Sequence, residues 1–282
     1  MQRIGIIGTG TMATGIAQNA AQCGYDVVVR GRSQDSVDKC TAGVKKALDR
    51  MVAKEKITQA AADETLGHIQ GTLALEDLKS CDLVIESVAE DLEVKRELLE
   101  KVDALLEDDT ILATNTSSLS VTKLASLTNR PAQFIGMHFF NPVPMMKLVE
   151  VVSGLRTSDA TVATVRELAE KLGKVPVEVK DAPGFVVNRV LFPMINEAAF
   201  ALGEGVSTAE GIDECMKFGC NHPMGPLALA DLVGLDVVHA ILTSLHREYG
   251  NPRYAPCLEI TKRLEAGWLG RKAGRGFYDY SG

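Results

Sequence analysis

A chain of 282 residues, 46% hydrophobic and 24% charged, is long enough to bury one large core or two ordinary ones and has the balance of a soluble globular protein. A formal net charge of −7 invites neither nucleic acid nor an acidic membrane surface, and no apolar run approaches the roughly twenty residues that a membrane span needs. The six cysteines (Cys23, Cys40, Cys81, Cys215, Cys220, Cys257) form no C-x-x-C pair, so they predict thiols of a reducing, cytoplasmic compartment and neither a disulfide framework nor a metal site. With an apolar strand at its very start, the chain is expected to carry no signal or transit peptide.

That strand, Ile4 to Ile7, runs into Gly8-Thr9-Gly10-Thr11-Met12-Ala13 and then an Ala-rich helix ending at Cys23. This is the G-x-G-x-x-A form of the dinucleotide fingerprint, placed between a strand and a helix as the fingerprint requires. Gly8 permits the sharp turn, Gly10 lets the backbone approach a pyrophosphate, and Ala13 lets the helix lie against the strand. The first helical turn, with Thr11 and Met12, offers unpaired N–H groups and a positive dipole end to phosphates.

Asp26 to Arg30 is the predicted second strand. Gln34 to Lys54 follows as a long amphipathic helix, with apolar Val37, Cys40, Val44, Ala47, Leu48 and Met51 on one face and lysines on a solvated one. Nicotinamide dehydrogenases that use NAD carry a carboxylate at the end of the second strand, about twenty residues past the fingerprint. Here that place is held by Gly31, followed by Arg32 and Ser33. The missing acid and the added guanidinium predict that NADP(H) is preferred over NAD(H): Gly31 leaves room, Arg32 offers planar donors to a 2′-phosphate and Ser33 a hydroxyl. Arg30, ahead of the turn, has a lesser part.

A short helix over Gln59 to Leu66 and a strand near Ile69 to Leu73 come next. Asp82 to Glu86 and Thr110 to Thr114 read as buried parallel strands, with a helix over Leu92 to Leu106 between them. Their carboxyl ends, where doubly wound sheets bind ligands, carry Ser87-Val88-Ala89-Glu90 and Asn115-Thr116-Ser117-Ser118. The second stretch is either a simple turn or a set of donors aimed at a substrate. Phe134 to Phe140 and Lys147 to Val152 are apolar strands folded back on each other by Asn141-Pro142-Val143-Pro144. Antiparallel pairing about Pro144 sets His138 opposite Glu150. A carboxylate inside an apolar run is costly unless paired, so the two are a candidate acid–base dyad; a structural polar pair, or a Glu150 that faces water, is the blander alternative. Ser158 to Leu172 reads as a helix and Val175 to Val179 as the last strand.

Beyond Ala182-Pro183-Gly184 the β periodicity stops. Phe185 to Leu202, Thr208 to Phe218 and Leu227 to Tyr249 read as helices, the first nearly apolar throughout. The expected architecture is therefore α/β: a Rossmann-like, doubly wound, mostly parallel sheet over residues 1–182 that binds the dinucleotide, then an all-α unit over 183–282 for substrate and dimerisation. Asn188 and Asn196 are each either a core amide or a ligand contact, Asn188 being better placed for the second. The apolar Phe185-Val186-Val187 and Val190-Leu191-Phe192 predict a homodimer, since about a hundred residues are too few to cover them.

Taken together, the chain resembles the 3-hydroxyacyl-CoA dehydrogenase family over nearly its full length, its short bacterial 3-hydroxybutyryl-CoA members above all. The stretches that carry the likeness are Gly8 to Met12, Asn115 to Ser118, Gly136-Met137-His138-Phe139-Phe140-Asn141-Pro142, Lys147 to Val151, Pro183 to Arg189, Asn221-His222-Pro223-Met224-Gly225-Pro226 and Gly274 to Tyr278. The resemblance implies hydride exchange between C3 of (S)-3-hydroxybutyryl-CoA, or its acetoacetyl-CoA product, and a nicotinamide. His138 would be the catalytic histidine and Glu150 its paired carboxylate. Ser117 and Asn188 would hold the substrate near the reacting carbon. Glu90, Lys95, Asn115, Asn141 and Lys272 would surround the cofactor, and Lys54 would lie near the CoA. The chain departs from the family pattern at Gly31, and at Ala47 where some members carry serine. A dehydrogenase of a non-CoA hydroxy acid or sugar acid is the alternative. A catalytically idle dinucleotide-binding protein is disfavoured by the joint presence of Ser117, His138, Glu150 and Asn188.

Overall fold

Short β-branched and apolar runs build the first half of the chain. In the computed structural model, which describes residues 1–281, β1 (Arg3–Ile7), β2 (Asp26–Arg30), β3 (Ile69–Thr72), β4 (Leu83–Glu86), β5 (Ile111–Thr114), β6 (Phe134–Phe139), β7 (Leu148–Ser153) and β8 (Val175–Lys180) form one sheet in the order β3-β2-β1-β4-β5-β6-β7-β8. Every pairing is parallel except β6 with β7. From β1 the chain winds outward to β2 and β3, then returns to β4 on the other side of β1. That reversal is the switch point of a doubly wound sheet, and the carboxyl ends of β1 and β4 flank the crevice it opens.

The flanking helices are α1 (Thr11–Gln22), α2 (Gln34–Ala53), α3 (Gln59–Gly67), α4 (Leu92–Asp103), α5 (Val121–Ala125) and α6 (Asp159–Lys171). Ile4, Ile6, Leu83 and Ile85 pack with Ala13, Ile16, Ala17 and Ala20 of α1 in the main core. The alanine face brings α1 close to the sheet. Most of these helices begin on a capping side chain: Ser33 for α2, Asp91 for α4, Ser158 for α6. The start of α1 has none. Sequence periodicity missed α5 because it is five residues long; Ser120 caps it, and the Asp181 carboxylate accepts the Val121 and Thr122 N–H groups.

The chain divides into two compact units, Met1–Ala182 and Pro183–Gly282. The second is helical: α7 (Val187–Gly203), α8 (Ala209–Glu214) running into a π turn at Cys215–Gly219, α9 (Pro226–Val233), α10 (Leu235–Tyr249) and α11 (Leu258–Glu265). Phe192, Ile195, Leu227, Leu235, Val238, Leu242 and Ile260 form its core. The single helix expected over Leu227 to Tyr249 is two, bent by 100° at Gly234. Gly234 sits at φ 103°, a conformation that no helix interior holds and that a side chain resists. Asn196 is a core amide: its Nδ2 donates to the Ala255 carbonyl at 2.9 Å and its Oδ1 accepts the Cys257 N–H at 2.8 Å. Among the described residues, no single helix is long and apolar enough to cross a membrane.

Candidate active site

The crevice begins at the β1–α1 turn. Gly8 has φ 127°, and a Cβ there would stand 2.3 Å from the Ser87 carbonyl oxygen, so only glycine lets β1 turn past the end of β4. Gly10 is the N-cap of α1, and no atom lies within 4 Å of where its Cβ would be. The first bond into the helix runs from the Thr14 N–H to the Gly10 carbonyl at 2.9 Å. The Thr11, Met12 and Ala13 N–H groups before it have no partner within the helix. Thr11 is exposed, Met12 half-buried and Ala13 buried against the strand. A helix start without a side-chain cap, opening on free space, fits a dinucleotide pyrophosphate.

At the end of β2 the structure corrects one expectation. Gly31 leaves no room: a Cβ there would stand 2.6 Å from Val37 Cγ2 and 2.7 Å from Ser36 Oγ. The first turn of α2 fills the space. The Ser33 hydroxyl is already engaged, accepting the Ser36 N–H at 3.3 Å as the cap of α2. Arg30 points elsewhere, its Nε donating to the Leu73 carbonyl at 3.3 Å. Arg32 is exposed. Lys54 caps the far end of this 20-residue helix, about 30 Å from Arg32 by the rise of an α-helix.

The carboxyl ends of β4 and β5 are tied together by charge. Glu90 Oε1 accepts the Ser117 N–H at 2.8 Å, the Ser118 N–H at 2.9 Å and the Thr116 hydroxyl at 2.5 Å. Its Oε2 lies 3.4 Å from Lys95 Nζ. Partial burial pushes the Glu90 carboxyl up, but Lys95 and the bonds from Thr116, Ser117 and Ser118 outweigh it and hold the group below its ordinary value. Lys95 is 1% exposed and is gripped by both oxygens of Glu86, at 2.7 and 2.8 Å. Asn115 braces two strand ends: its Nδ2 donates to Ser87 Oγ at 3.2 Å and its Oδ1 accepts the Phe139 N–H at 3.0 Å.

In the antiparallel pair, His138 stands directly opposite Glu150. The expected register holds because the turn is centred on Pro144. His138 Nδ1 lies 2.7 Å from Glu150 Oε2, and both residues are buried. A carboxylate only accepts, so Nδ1 carries the hydrogen of this bond. The turn between the strands is anchored from below by Lys174, whose Nζ donates to the carbonyls of Val143 at 2.5 Å and Met146 at 3.0 Å. Burial lowers the pKa of that ammonium. Asn141, at the start of the turn, is exposed.

The helical unit carries the remaining two residues. Asn188 is half-buried in the first turn of α7. Lys272 forms a bidentate pair with Asp236 at 2.6 and 2.7 Å, and this bond holds the Asp236 carboxyl below its usual range. Sequence reasoning missed Glu86 and Lys174. Glu86 ends an apolar strand, which is the signal that singled out Glu150. Lys174 gives none, since its sequence context is that of a surface lysine.

The sequence profile described as "3-hydroxyacyl-CoA dehydrogenase, NAD binding domain" matches residues 3–182, and that of the C-terminal domain of the same enzymes matches 184–280. A 3-hydroxybutyryl-CoA dehydrogenase of Clostridioides difficile is 53% identical over 99% of both chains. A probable 3-hydroxybutyryl-CoA dehydrogenase of Deinococcus radiodurans is 49% identical over 99% of this chain and 100% of its own. The crystal structure of (S)-3-hydroxybutyryl-CoA dehydrogenase from Ralstonia eutropha superposes with a TM-score of 0.98 at 50% identity, covering all of both chains. The chain belongs to the 3-hydroxyacyl-CoA dehydrogenase family.

The Glu90 contacts set a pH dependence. Its folded pKa is depressed, so its stabilisation is complete above the unfolded value of about 4.3 and is lost as pH falls through the lower folded value. Urea titrations should therefore show native protein more stable than Glu90→Gln at pH 6, with the gap narrowing below about pH 4.3. A gap that stays constant down to pH 3 contradicts this account.

Proposed function

We propose that this member of the 3-hydroxyacyl-CoA dehydrogenase family is a cytoplasmic enzyme that interconverts (S)-3-hydroxybutyryl-CoA and acetoacetyl-CoA, with His138 as general acid and base. The observation that carries the reading is the buried His138–Glu150 pair at 2.7 Å, set by the register of β6 and β7. The names of the similar enzymes support the substrate. When bound, the nicotinamide supplies the hydride chemistry.

The protein's own part is to hold, orient and move one proton. Glu150 keeps the Nδ1 hydrogen in place and fixes the ring plane, so Nε2 removes the 3-hydroxyl proton in oxidation and returns it to the 3-keto oxygen in reduction. Glu150 cannot drift, because β7 is paired on both sides, with His138 on β6 and Val177 on β8. Ser117 and Asn188 orient the substrate near its reacting carbon. The N–H groups of Thr11, Met12 and Ala13 bind the pyrophosphate beside Gly8 and Gly10. Glu90, Asn115, Asn141 and Lys272 surround the cofactor, and Lys54 lies toward the CoA. His138→Ala should lower kcat by roughly two to four orders of magnitude while cofactor affinity, measured by fluorescence titration, barely changes. Glu150→Gln should also slow turnover. Near-normal kcat in both variants removes the dyad from the mechanism.

NADP(H) is the preferred cofactor in this reading, although the matching family profile is named for NAD. No acid stands at Gly31 to repel a 2′-phosphate, and Arg32 is exposed at the same turn. A charge-assisted bond to phosphate contributes about 1.5 to 3 kcal/mol, so a preference on the order of a hundredfold is expected. Because Val37 occupies the space beside Gly31, the reversing variant needs Gly31→Asp and Arg32→Ile together with Val37→Ala. Native kcat/KM that favours NADH, or a triple variant with unchanged preference, rules this out.

The chain works as a homodimer joined through its C-terminal helices. Val186 is 48% exposed and Val190 65%, in the apolar runs Phe185-Val186-Val187 and Val190-Leu191-Phe192 that flank Asn188 and Arg189. Such a surface is expected to be covered by a second copy. Sedimentation at micromolar concentration should show about twice the 30.3 kDa of one chain; a species of single-chain mass would refute it.

A further inference from the structure

We infer that Glu86 is a positioning residue for Ser117, acting through Lys95 and Glu90; the inference rests on the reading of Ser117 as a substrate contact. Glu86 is fully buried at the end of β4. Its Oε1 accepts the Val88 N–H at 2.7 Å, its Oε2 accepts the Thr114 hydroxyl at 2.8 Å, and both oxygens accept from Lys95. One carboxylate thus ties its own strand end to the end of β5 and to the first helical turn of α4.

The effect on the 116–118 loop follows from where the Lys95 ammonium can go. At 1% exposure it is out of reach of bulk solvent, so its charge must be balanced by carboxylates. Glu86 takes it bidentately, and only Oε2 of Glu90 approaches it, at 3.4 Å. Oε1 of Glu90 is therefore turned to the loop, where it receives the Ser117 and Ser118 N–H groups. Without the Glu86 charge, the ammonium's remaining partner is Glu90. It would draw in both oxygens and take Oε1 away from the loop. Lys95, enclosed in this way, serves the cofactor crevice by setting Glu90 and not by touching a ligand itself.

The test is a double-mutant cycle. Glu86→Gln keeps the shape and removes the charge. A second variant, Glu86→Gln with Lys95→Met, removes the pair together, keeps the net buried charge unchanged, and avoids leaving an ammonium unpartnered in the interior. Each is made with and without Ser117→Ala, and kcat and KM for acetoacetyl-CoA are measured beside cofactor Kd. In the Ser117 background and at saturating cofactor, Glu86→Gln should lower kcat/KM roughly tenfold to a hundredfold, the scale of a small misplacement in a site, and adding Lys95→Met should recover most of that loss, since no ammonium is left to draw Oε1 of Glu90 from the loop. In the Ser117→Ala background the same changes should cost less than about threefold more. A Glu86→Gln loss that multiplies independently with that of Ser117→Ala, an unchanged kcat/KM in Glu86→Gln, or an equal loss in the variant that also carries Lys95→Met overturns the positioning role. If Ser117→Ala alone leaves kcat/KM unchanged, the reading of Ser117 fails instead, and the inference falls with it.

Discussion

A charge taken out of water must find its opposite or a ring of donors, and the sheet of the first unit meets that demand near the edge where β4 and β6 end and β7 and β8 begin. Glu86 ends β4, Glu150 lies on β7, and Lys95 and Lys174 reach in from the flanking elements. Each is buried, and each is satisfied by a group whose position it then fixes. Lys174 fixes the turn that follows the histidine strand. Glu150 fixes the imidazole. Glu86 fixes an ammonium that fixes a second carboxylate. The apolar sheet supplies rigidity, but the placement of polar atoms around the crevice is electrostatic.

This division explains what could be read in the amino-acid sequence and what could not. Strands and long helices are periodic, and β2 has the bounds that the DVVVR run suggests. The His138–Glu150 register was legible because a turn centred on one proline leaves little freedom in pairing. The fingerprint was legible because each of its small residues answers a steric demand, as the approach of the Ser87 carbonyl to Gly8 shows. Less accessible was anything decided by a neighbour distant in sequence. The break at Gly234 looks like a tolerated helix glycine until its backbone is seen. Gly31 looks like open space until α2 folds back and Val37 fills it. Lys95 looks like a ligand-facing lysine until two carboxylates close over it.

The packing at Gly31 also changes how cofactor choice is to be understood. The identity of one residue at a strand end is commonly treated as the selector. In the proposed reading the selector includes the first turn of the following helix, since Ser36 and Val37 stand where a side chain on residue 31 would begin. The Ser33–Ser36 capping box locks that turn in place. An acid at this position would have to displace a helix start as well as approach a ribose.

The start of α1 carries a trade between folding and ligand affinity. Its neighbours α2, α4 and α6 each begin on a hydroxyl or carboxylate that satisfies a backbone N–H, whereas α1 begins on Gly10 with none. A serine there would complete the helix start for about a few tenths of a kcal/mol over glycine. It would also place a side chain in the space that Gly10 leaves clear. The position is thus one where the stabilising residue and the functional residue differ. Directed evolution for heat resistance alone would be drawn toward the capped helix, and selection for turnover would draw it back.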